Sequence, residues 1–172
     1  MKYLFVFLLI GLVSCVDDST GDAMKKQSDN TSQTIPQKRY RADLTSIKED
    51  PKVVILKENK VPITGIIYDT YENGNLKFEN SRKNGMADGK SKYWDENGNL
   101  LYEANYTEGK ENGFLRIYAN GRMMAESYAN MGIKMSEKRW DETGLLRSEI
   151  IRKGDTWIQR CWNEEGNEIE CD

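Results

Sequence analysis

Residues 71–113, YENGNLKFENSRKNGMADGKSKYWDENGNLLYEANYTEGKENG, decide the fold, because one short pattern occurs in them twice. An aromatic or acidic residue leads into Glu-Asn-Gly-Asn-Leu. A glutamate follows five places after the glycine, and then a second glycine-bearing turn. Outward from this stretch the pattern continues. Gly74, Gly98, Gly121, Gly144 and Gly166 are spaced 24, 23, 23 and 22 apart. A second series, Gly85, Gly109, Gly132 and Gly154, is spaced 24, 23 and 22, and a third, Gly65, Gly89 and Gly113, is spaced 24 and 24. Leu76, Leu100, Met123 and Leu146 hold the second position after the first-series glycine, and Glu79, Glu103, Glu126 and Glu149 the fifth. Fixed self-similarity at such a period marks a repeat architecture.

Each unit reads as a β-hairpin. Asn73-Gly74, Asn97-Gly98 and Asn120-Gly121 suit two-residue type I′ turns, whose central positions both need positive φ. Thr143-Gly144 and Glu165-Gly166 suit a longer loop in which only the glycine is left-handed. Alternating aromatic, aliphatic and polar residues flank the turns, as in half-buried strands. The second glycine series marks the turn to the next hairpin. The expected fold is therefore all-β, an elongated antiparallel meander of about five hairpin repeats of 22–24 residues covering residues 63–172. Residues 41–62 read as a leading segment with one strand, beginning at Val53, and residues 41–52 as a weak short helix.

The unit Y-x-N-G-x-L-x-x-E, followed by an N-G or E-G-K turn and a strand-opening glycine, resembles the MORN-repeat variant of bacterial YwqK-like proteins. YENGNLKFE (71–79), DENGNLLYE (95–103) with YTEGKENG (106–113), and YANGRMMAE (118–126) match best, and VPITGIIYDTYENG looks like the start of such an array. The resemblance covers about residues 55–170. It weakens in the last units, where Ser136 replaces the strand-opening glycine and Glu168 the aliphatic residue, as expected of terminal repeats that cap an array. It implies stacked hairpins and a binding or scaffolding role, and, through some relatives, an antitoxin or immunity-like role. Fold alone does not assign function.

The N-terminus carries a different message. Lys2 precedes an apolar run, YLFVFLLIGLV (3–13). About 20 apolar residues are needed to span a bilayer, so the run fits a secretory signal of residues 1–14 instead. Leu12-Val13-Ser14-Cys15 resembles the lipobox of bacterial lipoproteins, which implies lipidation of Cys15 and a membrane partner reached through that lipid. Residues 15–40 read as a lipidated N-terminus and disordered tether, polar and without hydrophobic period, with a coil span of roughly 25–30 Å. Asp17-Asp18 resemble a surface-export signal, although a solvated linker charge pair is the better reading. The expected location is the bacterial cell envelope, at the outer rather than the inner membrane.

Composition narrows the chemistry. The chain has no histidine and only three cysteines, which excludes histidine bases, histidine metal ligands and a four-cysteine zinc site. Loss of residues 1–14 removes Lys2 and no acid, taking 25 basic against 28 acidic residues to 24 against 28, a formal charge of −4. No basic excess speaks for nucleic acid, and no cofactor motif is present. Asp95 to Asn99 has some calcium-loop character, but its glycine stands fourth rather than sixth.

Two groups of repeated residues invite functional readings. The glutamates could serve glycoside hydrolysis, yet a catalytic pair would break the repeat rather than recur in it. In a two-residue register Lys92 faces Glu103 and Lys138 faces Glu149, so cross-strand ion pairing is the better reading; Glu79, which would face Tyr68, breaks the pattern. The aromatics Tyr71, Trp94, Tyr118, Trp140 and Trp162 read first as the thin core of a one-layer sheet and second as platforms for glycan binding. Cys161 and Cys171, opposite each other in a hairpin centred on Gly166, are candidates for a disulfide. The overall expectation is a non-catalytic module that binds an envelope protein or glycan, with a carboxylate hydrolase as a lesser alternative.

Overall fold

The computed structural model describes residues 37–49 and 52–171. Cys15, the signal segment and most of the tether lie outside them. The described chain is almost wholly β: β1 (Arg39–Arg41), β2 (Thr45–Glu49), β3 (Lys52–Leu56), β4 (Gly65–Thr70), β5 (Leu76–Lys83), β6 (Met86–Trp94), β7 (Leu100–Thr107), β8 (Lys110–Ala119), β9 (Arg122–Asn130), β10 (Ile133–Trp140), β11 (Leu146–Lys153), β12 (Thr156–Trp162) and β13 (Glu168–Ile169). Strands β4 to β13 follow one another in an 11-stranded sheet that β1 completes at one edge by pairing in parallel with β4. This is the expected hairpin meander.

The turns depart from expectation in an instructive way. At Asn73-Gly74 and Asn97-Gly98 only the glycine has positive φ, whereas Asn120 and Gly121 are both left-handed. The first two are three-residue loops: Tyr71 N donates to Asn75 O (2.9 Å) and Gly74 N to Tyr71 O (3.0 Å), and Asp95, Gly98 and Asn99 repeat the arrangement. The same bonds recur in 141–145 and 163–167. This is a type I turn followed by a left-handed glycine. In three of the four loops the opening residue contributes. Asp95, Asp141 and Asn163 accept backbone N–H bonds from two and four residues on, at 2.8–3.1 Å. An Asx side chain at this position stabilises a type I turn. Tyr71 opens the fourth such loop, where Asn73 Oδ1 accepts from Asn75 N at 2.9 Å instead, whereas at Asn120-Gly121, preceded by Tyr118, the two-residue type I′ turn forms. The two-residue form also occurs in the second glycine series, where Asn84, Glu108 and Met131 share positive φ with the glycine that follows.

A bulge beside the 71–75, 95–99 and 141–145 loops restores the two-residue register. Trp94 pairs with Leu100, the ladder shifts, and Lys92 then faces Glu103 as expected. The third glycine series marks a second kind of bulge. The β5–β6 ladder shifts between Asn80 and Arg82, and Gly89 sits there at φ +97 with room for no more than a hydrogen beside Ser81. At Ser136 the corresponding shift is retained without glycine.

Residues 41–52 contain no α-helix. A 3₁₀ turn (Ala42–Leu44) leads into β2, which pairs with β3. The leading segment thus holds two strands rather than one, and β1 takes residues 39–40 out of the expected tether. Ile55 of this hairpin, Ile63 of the segment that follows it and Ile67 of β4 are buried, with Ala104 and Ala129 elsewhere in the sheet. A single layer buries little more, because each strand has solvent on both sides.

At the far end Cys161 and Cys171 form a disulfide with Cα atoms 5.4 Å apart. The register differs from expectation. Cys161 pairs with Ile169 and Trp162 with Glu168, because the 163–167 loop has three residues and no bulge follows it. Closing so small a loop stabilises by about 2–3 kcal/mol in chain-entropy models. Reduction is expected to raise amide exchange in β12 and β13 and to leave β5–β9 unchanged. Peptide mapping that finds both thiols labelled in unreduced, denatured protein would remove the bond.

Candidate functional site

The meander has two faces of different chemistry. On one, the ladder pairs place Glu79, Lys92, Glu103, Arg116, Glu126, Lys138, Glu149 and Arg160 side by side, one per strand from β5 to β12. The signs alternate without a break. Arg116 bonds Glu126 at 2.7 Å and Glu103 at 3.3 Å, Lys138 bonds Glu149 at 3.2 Å, and Lys92 reaches Glu103 at 4.0 Å. Glu79 does face Tyr68, but Arg39 from β1 lies 4.7 Å over the Tyr68 ring and ion-pairs with Glu79. The missing cation therefore comes from a residue outside the repeats. The recurrent glutamates are the anionic half of this row.

Burial pushes the Glu103 carboxyl up, but hydrogen bonds from Tyr118 and Arg116 and the charges of Lys92 and Arg116 outweigh it and hold the group below the usual range. Such a carboxylate stabilises the fold above its unfolded pKa, and that contribution is lost as pH falls through the lower folded value. Arg116→Met removes the cation between Glu103 and Glu126. A loss of about 0.5–2 kcal/mol is expected for two partly exposed cross-strand pairs. Urea midpoints at neutral pH measure it. The difference between variant and parent should shrink as pH falls through the lowered Glu103 pKa, and a difference independent of pH would show that packing, not charge, was lost.

The recurrent aromatics Trp94, Tyr118, Trp140 and Trp162 lie on the charged face, and Tyr71 lies in the loop before β5; all five are half-buried. Tyr71 Oη donates to Trp94 O at 2.8 Å and Tyr118 Oη to Glu103 Oε1 at 3.0 Å. They are wedged against strand ends, and more open rings lie elsewhere, at Tyr93 and Trp157 (40% and 48% exposed).

The opposite face has small residues along its middle, Ser91, Ala104 and Ser127, in one ladder row with Asn80 and Leu115. Beside that row Phe78, Tyr93 and Tyr102 form a chain of rings with centroids 5.6 Å apart. A hollow of about 420 Å³ opens there, lined by Asn80, Arg82, Ala87, Ser91, Tyr93, Tyr102 and Tyr106. Asn80 Nδ2 donates to Tyr93 Oη at 3.1 Å, and the Tyr102 and Tyr106 hydroxyls are 3.0 Å apart. Burial, then the Tyr106 hydroxyl, push Tyr102 well above the usual phenol range, so it is a neutral donor at any physiological pH. Sequence reasoning missed this hollow, because its residues do not recur from unit to unit.

A second hollow of about 520 Å³ on the same face contains Glu111 and Glu137. Glu137 bonds Lys134 and Arg139, and the Lys134 bond foremost holds it below the usual carboxyl range. A general acid needs the opposite shift. Among the described residues no cluster of carboxylates is placed to hold a metal ion. Asp95, the calcium-like position, uses its carboxylate on the N–H groups of its own loop.

A family model for the MORN repeat variant matches residues 87–108, which run from the start of β6 through the Asp95–Asn99 loop to the end of β7. No curated protein matches the chain. The matched unit contains Ala87, Ser91, Tyr93, Tyr102 and Tyr106 of the first hollow.

Proposed function

We propose that the chain is a bacterial lipoprotein, cut before Cys15 and held in the cell envelope by lipid on that residue, whose hairpin array is a non-catalytic binding or scaffolding module. The observation that carries the binding role is the sheet itself. It is one layer thick and leaves a ring-lined face open to solvent, where Tyr93 and Ile117 are 40% and 45% exposed. Concave, ring-lined ground with a few convergent polar groups is the usual form of a binding site. Repeated acids engaged in a charge row, and a Glu137 held ionised by two cations, favour this reading over hydrolysis. The N-terminal pattern supports the anchor: a short apolar run ending at Cys15, followed by polar sequence.

The anchor and the binding role are tested apart. Cys15→Ala should move the chain from the membrane to the soluble fraction of the producing cell; an unchanged membrane fraction overturns the anchor. Crosslinking of intact envelopes followed by purification of the full chain should recover a reproducible partner, and none across repeats would overturn the binding role.

A further inference from the structure

The geometry points to the hollow around Arg82 as a binding site for an acidic sugar, a uronic acid or a glycan end that carries one. This deepens the binding-module reading and rests on it.

Residues that recur serve the sheet, so a ligand site is to be sought among those that do not. One unit on from Asn80 and Arg82 stand Ala104 and Tyr106, and one unit on from Tyr93 and Tyr102 stand Ile117 and Ala125. Nothing in hairpin pairing requires an amide, a guanidinium and three phenols together at this one place.

Arg82 forms no ion pair among the described residues, and its buried Nε has no hydrogen-bond acceptor. Burial pushes its pKa down, with Tyr93 and Tyr106 opposing. In the charged row of the other face each cation has a carboxylate beside it. A half-buried guanidinium without one is costly unless an anion completes it, and a carboxylate matches its planar fork. No acidic side chain lines the hollow.

Asn80 Oδ1 is also buried without a partner, so the ligand should carry a donor as well as a carboxylate. Ser91 and the tyrosine hydroxyls offer further polar contacts, while the open Tyr93 ring and Ala87 offer apolar surface. A sugar acid presents all of these in one ring: a carboxylate for Arg82, hydroxyls for Asn80 and the phenols, and a C–H face for Tyr93. A simple carboxylate lacks the hydroxyls, and a neutral sugar lacks the anion.

The test is a titration of the full chain in detergent micelles, followed by ligand-observed NMR, with D-glucuronate, D-glucose and N-acetylglycine as probes. Glucuronate is expected to bind saturably and at least tenfold more tightly than either of the others. Arg82→Met should weaken it at least tenfold and Arg82→Lys less, with the β circular-dichroism signal of both variants unchanged. Should Arg82→Met lose that signal, Tyr93→Ala and Ser91→Ala take its place, each expected to weaken glucuronate several-fold. Glucose binding as tightly as glucuronate, N-acetylglycine doing so, or indifference to these substitutions would each overturn the assignment. If glucuronate fails while crosslinking still recovers an envelope partner, the sugar site is lost and the binding module stands.

Discussion

Ile63→Ala is expected to destabilise the protein by about 2–5 kcal/mol, the range for emptying a packed aliphatic site. Ile63 is 1% exposed, and the other buried apolar residues among those described are Ile55, Ile67, Ala104 and Ala129. Its backbone also joins three elements: its N–H donates to Val54 O at 3.0 Å, and its carbonyl accepts from Gly85 N at 2.7 Å. The side chain thus fills the junction where β3, the start of β4 and the β5–β6 turn meet. A single-layer sheet has no second core to absorb the loss. Urea unfolding of the full chain measures the effect, with Ile117→Ala as the control. Ile117 is 45% exposed, so its truncation is expected to cost less than about 1 kcal/mol. Equal costs at the two positions would mean that the isoleucine cluster is not the core described above.

Gly85→Ala should cost about 3 kcal/mol or more and Gly109→Ala about 1–2 kcal/mol, although both glycines close the same turn in neighbouring units. Their φ angles are +79° and +80°, so the left-handed strain on alanine is common to both. The surroundings differ. A Cβ on Gly85 would lie 2.7 Å from Val53 Cβ and 2.7 Å from Val54 O, whereas one on Gly109 would meet nothing within 4 Å. Gly85 also accepts from Val54 N at 3.0 Å, so relief of the overlap means undocking the β2–β3 hairpin. Hydrogen exchange separates the outcomes. Gly85→Ala should expose the amides of β2 and β3, while Gly109→Ala should leave them protected. Matching exchange patterns in the two variants would sink the docking argument.

The pairing of Gly85 with Val54 shows where sequence reading stops. Glycine spacing marks Gly85 as a turn residue like Gly109, and nothing local distinguishes them. The contact that does so spans residues 54 to 85 and depends on a hairpin that looked like a single strand. Residues 39–40 give a similar lesson. They look like the end of a polar tether, yet Arg39 supplies the cation for Glu79 and opens the sheet. Short polar strands have no periodic signature, so their pairing is decided by what lies beside them.

The turns were half legible. In Asp-Glu-Asn-Gly the Asx residue three places before the glycine supports the three-residue loop over the two-residue turn that Asn-Gly alone suggests, but Tyr71 and Tyr118 stand at that place before loops of different length, so it does not decide the turn by itself. The register survived that error because the bulges after the loops return the ladder to the expected pairs, which is why Lys92–Glu103 and Lys138–Glu149 were legible before any coordinates. The last hairpin lacks such a bulge, and there the expected opposition of Cys161 and Cys171 slipped to Cys161 and Ile169.

By itself, then, the sequence determined the hairpin meander, its unit length, the pairing of the recurrent glutamates with lysines, and the N-terminal pattern that motivates the lipid anchor. These are encoded by residues recurring at a fixed period or lying next to one another, and a local signal is enough to read them. Only the tertiary structure decided which face carries the charge row and which the rings, that a small hairpin covers the first turn around Ile63, and that Asn80, Arg82 and three tyrosines share one hollow. Those residues occur once each and come from three strands. What gathers them is the sheet twist and its bulges, which no single segment contains.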